Sequence, residues 1–283
     1  KQNPPSWQSS LLWLSEALNH AKQQLNDLSH YRGEAYRYSR IPRLFESTWE
    51  NSGEPAAVDK LGLACNSENY RFVFVDGHFT PTLSKLPQSS TWQYQSLKQA
   101  MQACPSWLKA RLSSLPGPLS EQMNLILAQD GMVLEILPNT LVDKPIELIH
   151  YYVNQTPSMS HTKHAIHLHT HAKATVHEYH IGQHEQKTLA STSTLIELAS
   201  HAKLTYRLIR HGHEQFHHLQ HIAAFLASHS ELSSFQTDVN ANLLRTDLCA
   251  KLIGDRASLN AKALFMANHR DQIEHQWLIE HHG

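Results

Sequence analysis

A repeat with a period of about 28 residues in the C-terminal half constrains the fold of this chain more than any other feature. Equivalent positions in successive units hold Ala174, Leu204, Leu232 and Leu259. Six residues before them stand Leu168, Leu198, Leu226 and Ile253, and three residues before them stand His171, His201, His229 and Arg256. Apolar side chains held in register at this period predict an array in which each unit packs on its neighbours.

Each repeat contains two short segments with strand character. Residues 194–198 and 204–209 show them in one unit, joined by a polar turn at Ser200 and His201. Residues 195–199 taken alone are also compatible with a helix. The short lengths, the Thr, Ile and Tyr content and the turn residues at the ends favour strands. No proline follows Pro157, which suits continuous hydrogen-bonded ladders.

These features predict a mainly β chain built around a right-handed parallel β-helix. The unit is too short for the helix pairs of ankyrin-type repeats, and crossovers between parallel strands are right-handed in most proteins. We expect the core at residues 118–283 and a smaller helical and mixed region at residues 1–117, joined by a linker at residues 115–118. The residues expected to stack in the interior are Leu168, Leu198, Leu226 and Ile253, with the small Ala199 and Ala227.

Several further elements are predicted around this core. Apolar residues spaced by four and three predict a helix over residues 7–28, which either packs on its own domain or meets a partner helix. Residues 31–60 have an irregular pattern. Strands are predicted at residues 71–75, with a hairpin turn at Asp76 and Gly77, and at residues 124–127, 131–137 and 145–149. Helices are predicted at residues 91–103 and 106–115, separated by Pro105.

Composition limits the compartment and the partners. The net charge of −1 does not indicate a nucleic-acid partner. Three scattered cysteines, Cys65, Cys104 and Cys249, favour a reducing compartment over a disulfide framework. Because no signal peptide or long apolar run is present, we expect a soluble, cytoplasmic protein without a membrane partner. The last repeat stops in mid-pattern at Gly283, so we expect an incomplete β-helix whose open edge can pair with another copy.

Histidine is concentrated in the repeat region, which holds 20 of the 23 histidines between His150 and His282. One explanation is binding of zinc, nickel or copper, and the other is that solvent-facing strand positions carry histidine without any role as ligands. No group shows the short Cys/His spacing of a structural zinc site, so we assign no metal ligand. The groups are His167, His169 and His171, expected on one strand face; His211, His213, His217, His218 and His221, in one loop and strand; and His281 with His282.

Acidic residues indicate a functional site less clearly than the histidines do. Asp247, Asp271 and Glu274 on one β-helix face would indicate a carbohydrate-cleaving enzyme. Asp271, Glu274 and His275 could form a site, although surface ion pairs are the commoner outcome. There is no glycine-rich phosphate loop and no Gly-x-Ser-x-Gly motif, so we expect no enzyme and assign no catalytic or cofactor-binding residue.

A set of short motifs occurs in a fixed order along the chain. They are EAYRYS at 34–39, FVFVDGHF at 72–79, DGMVLEILP at 130–138, KPI at 144–146, LLRTD at 243–247, GDRA at 254–257, HRDQIEH at 269–275 and the final pair His281 and His282. In this order, and over nearly the whole chain, they resemble the SufB/SufD family of iron–sulfur cluster assembly proteins. Tyr36 replaces a tryptophan of the family motif.

The resemblance implies a right-handed parallel β-helix between two helical regions, and a scaffold rather than an enzyme. It also implies a complex with a SufB-like paralogue and a SufC-like ATPase, in which this type of subunit is associated with iron uptake. Iron or a nascent cluster would be held only in the full complex. The C-terminal third of the family, with its docking helices, has no counterpart here. The resemblance therefore assigns no functional residue to this chain.

Overall fold

The computed structural model describes residues 5–26, 36–53, 68–86, 89–113, 117–183, 186–268 and 270–283. These residues form a mostly β structure, a parallel β-solenoid of about 5 turns with a small N-terminal helical region. The predicted parallel β-helix is therefore confirmed. In these ranges no helix combines the length and the apolar character needed to cross a membrane.

The strands alternate between two sheets along the chain. In chain order they are β1 Glu50–Asn51, β2 Tyr70–Val75, β3 His78–Phe79, β4 Trp92–Ser96, β5 Met132–Ile136, β6 Ile146–Tyr152, β7 Ser158–Leu168, β8 Lys173–Gly182, β9 Thr188–Leu198, β10 Lys203–His211, β11 Phe216–Leu226, β12 Glu231–Val239, β13 Leu243–Leu252, β14 Ser258–Met266 and β15 Gln272–His281. The first sheet has the order β15-β13-β11-β9-β7-β5-β4, with β1 beside β7. The second has the order β14-β12-β10-β8-β6-β2-β3. Each strand of the regular solenoid therefore pairs with its counterpart one turn away.

The repeat register is nearly as predicted. Leu168, Leu198 and Leu226 stack in the interior and are fully buried. Ile253 was wrongly placed in this column: it is 42% exposed, and Leu252 pairs with Leu226 instead. The reason is one additional residue in the turn between β13 and β14. Residues 253–257 form this turn, whereas the shorter turn between β11 and β12 contains only residues 227–230.

The small residues of the interior also differ from the prediction. Ala199 and Ala227 are only half-buried, while Ala172, Ala202 and Ser230 are fully buried at the other end of each turn. Each of these turns contains one residue with a left-handed backbone. The φ values are 60° for His171, 62° for His201, 57° for His229 and 57° for Arg256. This conformation reverses the chain in few residues, so it sets the direction of the next strand.

The helices are α1 Ser15–Asn26, α2 Ile41–Phe45, α3 Leu97–Ala103, α4 Ser106–Ser113 and α5 Leu119–Leu127. The predicted helix at 7–28 begins as two short 3-10 turns, Ser6–Ser10 and Leu12–Leu14, before α1. Its apolar face is confirmed, because Leu11, Leu14, Leu18 and Ala21 are buried. Residues 27 and 28 lie outside the described ranges. The side chains of Leu11, Leu14, Leu18 and Ala21 belong to a second core, formed by the helices against the outer face of the first sheet.

Two N-terminal predictions were wrong. Residues 92–96 form strand β4, because they pair antiparallel with β5, and a capping box at Ser96 and Gln99 starts the helix only at Leu97. Residues 124–127 end helix α5 and do not form a strand. Almost every residue of that helix is buried, so residues 124–127 alone contain no exposed polar face that would mark them as helical. The predicted strands at 71–75, 131–137 and 145–149 are confirmed as β2, β5 and β6.

Strands from both predicted regions contribute to the solenoid. The β2–β3 hairpin turns at Asp76 and Gly77, as predicted, and β2 pairs parallel with β6. The division at residue 117 stays a prediction, since β2 and β4 of the first region are hydrogen-bonded to strands of the second.

Candidate metal centres of the solenoid

The repeat-region histidines fall into distinct environments, and many of them are buried. The interpretation of solvent-facing strand positions is therefore wrong for a large part of the set. Residues with less than a tenth of their surface exposed include His150, His161, His164, His167, His180, His217, His218 and His221. Alternation along a strand sends successive side chains to opposite faces, so neighbouring histidines reach different surroundings.

Three turn histidines form an external stack. The rings of His171 and His201 are 4.6 Å apart at 10°, and those of His201 and His229 are 4.7 Å apart at 4°. His171 therefore does not share a face with His167 and His169, as had been predicted, because β7 ends at Leu168 and the turn carries His171 away. Among the described residues, no carboxylate joins this stack as a group of potential metal ligands.

The interior of the solenoid holds a column of four fully buried histidines: His164, His150, His180 and His218. Neighbouring rings are 4.1 to 5.1 Å apart. Burial lowers the pKa of His164 to about 4 and lowers the pKa of each of the other three well below the usual range. A charged imidazole loses its hydration in the core, so these side chains are neutral at physiological pH.

Hydrogen bonds fix the protons of the first two rings. Nδ1 of His164 accepts the backbone N–H of Met132 at 3.1 Å, so a neutral His164 carries its proton on Nε2. That proton points to Nε2 of His150, 3.1 Å away, so His150 must carry its own proton on Nδ1. Nδ1 of His150 is buried and has no hydrogen-bond partner among the described residues. The column therefore contains one unsatisfied buried donor.

Glu178 is the carboxylate of this interior column. His180 donates Nε2–H to its Oε1 at 2.8 Å, while Thr194 and Tyr206 donate to Oε2 at 3.0 and 2.5 Å. Nδ1 of His180 lies 2.8 Å from the hydroxyl of Tyr152. His150, Glu178 and His180 could hold a metal ion by composition, but both oxygens of Glu178 are already occupied by donors. The group is also closed to solvent, which makes it a satisfied polar network rather than an open site.

The interior column continues as a buried ion pair. Arg210 donates two hydrogen bonds to Asp238, at 2.7 and 2.8 Å, and both side chains are fully buried. His275 Nε2 lies 2.7 Å from the same carboxylate. Burial would raise the pKa of Asp238, but Arg210 and His275 beside it hold that pKa well below its usual range. A bidentate guanidinium of this kind satisfies a charge that water cannot reach.

The acidic residues singled out in the sequence do not form a catalytic pair. Asp247 and Glu274 both bind the guanidinium of Arg245, at 2.7 and 2.8 Å. Asp271 instead accepts the backbone N–H of Asn268 at 2.8 Å. The grouping of Asp271, Glu274 and His275 is therefore not assembled, since each of the three side chains has a different partner. Glu274 and His275 are consecutive strand residues, which face opposite sides of a sheet.

A third charged cluster fixes helix α5 to the first sheet. Glu121 accepts hydrogen bonds from Lys163 at 2.6 Å, Ser193 at 2.5 Å and His221 Nδ1 at 3.0 Å. Burial alone would lower the pKa of His221, but the Cys249 thiol and the Glu121 carboxylate raise it to about 9. Burial would raise the pKa of Glu121, but Lys163 and His221 hold it well below its usual range. His221 therefore stands apart from His217 and His218, with which the sequence had grouped it.

The outer face carries a more open cluster formed by Glu135, His167 and His169. His169 Nε2 lies 3.0 Å and His167 Nδ1 lies 3.6 Å from Oε1 of Glu135. The close approach of His167 is the main reason why the pKa of Glu135 falls to about 2, with smaller contributions from His169 and Gln93 against the effect of burial. The sequence prediction that His167 and His169 share a face is confirmed.

Sequence reasoning missed the two carboxylates that join the histidines, although the repeat itself contained the signal. His150, His180, Arg210 and Asp238 pair in register through the second sheet, with the same period as the leucines. Glu178 precedes His180 by two residues and shares its face. Of the cysteines, Cys104 and Cys249 are half-buried free thiols, and Cys65 lies outside the described residues.

The regular part of the solenoid is similar to a known family of domains. Residues 151–283 match the family model described as SUF system FeS cluster assembly, SufBD core domain. The match runs from the end of β6 to the end of the chain, which is the regular part of the solenoid. Residues 151–283 are therefore similar to the SufBD core domain, and they form a large part of the parallel β-solenoid.

The chain is also similar to an individual protein whose role is described. Over 271 residues, which are 94% of this chain, the sequence is 23% identical to the iron–sulfur cluster assembly protein SufD of Escherichia coli (strain K12). The chain is thus similar to SufD, and the resemblance read from the sequence is confirmed. The chain spans 62% of the length of that relative.

Proposed function

We propose that this chain is a non-enzymatic scaffold subunit for iron–sulfur cluster assembly. In this proposal it joins a SufB-like paralogue and a SufC-like ATPase in the cytoplasm and contributes to iron uptake by the complex. The observation that carries the proposal is the similarity to SufD over 94% of the chain, together with the match of residues 151–283 to the SufBD core domain. Iron or a cluster in transit would be cargo of the assembled complex.

The alternative of a carbohydrate-active enzyme receives no support from the geometry. Two of its three candidate carboxylates, Asp247 and Glu274, are paired with Arg245, which leaves neither as an obvious acid or base. The alternative of a metal-binding protein has a specific observation in its favour, the cluster of Glu135, His167 and His169.

Co-purification tests the scaffold proposal. The chain, with any residues that flank it in its gene, is co-expressed with the SufB-like and SufC-like proteins of the same organism and passed through size exclusion. We expect one complex containing all three. Elution without either partner would contradict the proposal.

A further inference from the structure

Two neighbouring strands bring three potential metal ligands together on the outer face of the first sheet. Glu135 of β5 pairs directly with His167 of β7. His169 follows two residues later, and alternation brings its side chain back to the same face. The rings of His167 and His169 have centroids 4.1 Å apart, and both nitrogens nearest to Glu135 approach the same carboxylate oxygen. His169 lies one residue beyond the end of β7, and its backbone N–H donates to the carbonyl of Ile136 of β5 at 3.0 Å. The position of the cluster therefore results from backbone hydrogen bonding between neighbouring turns.

The cluster is open to solvent on one side. The side chains of His169, Glu135 and His167 are 31%, 20% and 11% exposed. Nδ1 of His167 is buried, and at 3.6 Å from Glu135 Oε1 it has no hydrogen-bond partner among the described residues. An ion could therefore reach the three donors from outside and retain water on its remaining positions.

The charges around the cluster favour a cation. His167 lies between two glutamates in register, Glu135 on one side and Glu197 on the other. Arg111 neutralises Glu197 through hydrogen bonds of 2.6 and 2.8 Å. Glu135 has no lysine or arginine partner in the described part of the chain. The amide of Gln93 donates to Oε2 of Glu135 at 3.1 Å, which orients the carboxylate and leaves Oε1 toward the imidazoles.

We propose that Glu135, His167 and His169 form a binding site for a divalent first-row transition-metal ion. Two imidazoles and one carboxylate with open positions are a ligand set that suits non-haem Fe²⁺, as well as its neighbours in the series. The choice of Fe²⁺ as the physiological ion rests on the proposed role in iron–sulfur cluster assembly, whereas the site itself does not. The exposed stack of His171, His201 and His229 has no carboxylate among its described neighbours, and the interior group at Glu178 is closed and already satisfied.

Titration of the complete chain with Co²⁺ tests the site directly. Co²⁺ is stable in air, and its ligand-field absorption reports imidazole and carboxylate ligation. We expect saturation at roughly one equivalent, and displacement of Co²⁺ only by a large excess of Fe²⁺ added without oxygen, because Fe²⁺ lies below Co²⁺ in the affinity order of such sites. Circular dichroism of every variant verifies the fold.

Variants locate the bound ion. Glu135→Gln and His169→Gln keep the size of each side chain and should each weaken Co²⁺ binding by roughly tenfold or more. His201→Gln removes the central imidazole of the exposed stack and is the matched control, which should bind as the unaltered chain does. Equal binding by Glu135→Gln and the unaltered chain would overturn the proposal, as would a loss confined to His201→Gln.

The titration is independent of the partner proteins. A chain that binds Co²⁺ at these residues yet forms no complex would overturn the scaffold proposal and leave the metal site standing. A chain that assembles normally but shows no binding dependent on Glu135 would overturn the metal site alone.

Discussion

Raising the pH from 6.5 to about 10 should deprotonate His221, the imidazole buried beneath helix α5. Its Nδ1–H is 3.0 Å from Glu121, which also binds Lys163 at 2.6 Å. Against the effect of burial, Cys249 and Glu121 raise the pKa of His221 from 6.5 to about 9. A raised pKa means that the folded state holds the proton more tightly than the unfolded state. The contribution to stability is thus complete below pH 6.5 and is lost as the pH rises through about 9.

The magnitude follows from the size of the shift. Each pKa unit corresponds to about 1.4 kcal/mol, so the free energy of unfolding should fall by about 3 kcal/mol over this range. Urea unfolding followed by circular dichroism, at pH 6.5 and at about pH 10, measures the change. Lysines, tyrosines and thiols also titrate there, so the comparison is made with His221→Gln, which contains the same other groups.

The difference between the two proteins isolates the imidazole. The unaltered chain should lose about 3 kcal/mol more than His221→Gln over the same pH interval. If both lose the same amount, the imidazole is not charged in the folded state, and the attachment of α5 by Glu121 does not depend on it. A smaller loss in Cys249→Ala than in the unaltered chain would show that the thiol contributes to the raised pKa.

The remaining predictions concern stability and are measured by urea unfolding. Leu226→Asp places an unpaired charge in the leucine column and should cost about 4 kcal/mol or more, whereas Leu141→Asp, at a side chain that is 72% exposed, should be nearly neutral. Gly131→Ala should cost about 3 kcal/mol, because the new Cβ would lie 1.7 Å from a backbone carbonyl oxygen of β7, while Gly53→Ala meets nothing within 4 Å and should change little. Arg210→Met should cost about 3 to 5 kcal/mol, because it leaves a buried carboxylate without its guanidinium, and a smaller loss would show that water reaches this pair.

The repeat determined the architecture because its spacing is a property of the coil itself. Every turn must bring equivalent residues to the same place, so a regular sequence period indicates both the stacking and the direction of pairing. Leu168, Leu198 and Leu226 were placed correctly for this reason. The prediction failed at Ile253, because one additional turn residue shifts the register without disturbing the apolar pattern.

Local sequence was less informative outside the repeat. Residues 92–96 were predicted as part of a helix, and hydrogen bonding to β5 makes them a strand. Residues 124–127 were predicted as a strand, and burial between α1 and the first sheet makes an unpatterned apolar run helical. In both segments, contacts with distant residues outweigh intrinsic propensities of a few tenths of a kcal/mol per residue.

The sequence by itself determined the class of fold, the resemblance to iron–sulfur cluster assembly proteins and the shared face of His167 and His169. Only the tertiary structure decided which carboxylate meets which histidine. Glu135 and His169 are 34 positions apart in the sequence, with β6 between them, and Glu121 and His221 are 100 positions apart. The physical reason is that strand alternation fixes the face of a side chain locally, whereas its partner is fixed by the register between turns and by the docking of helices on the sheet.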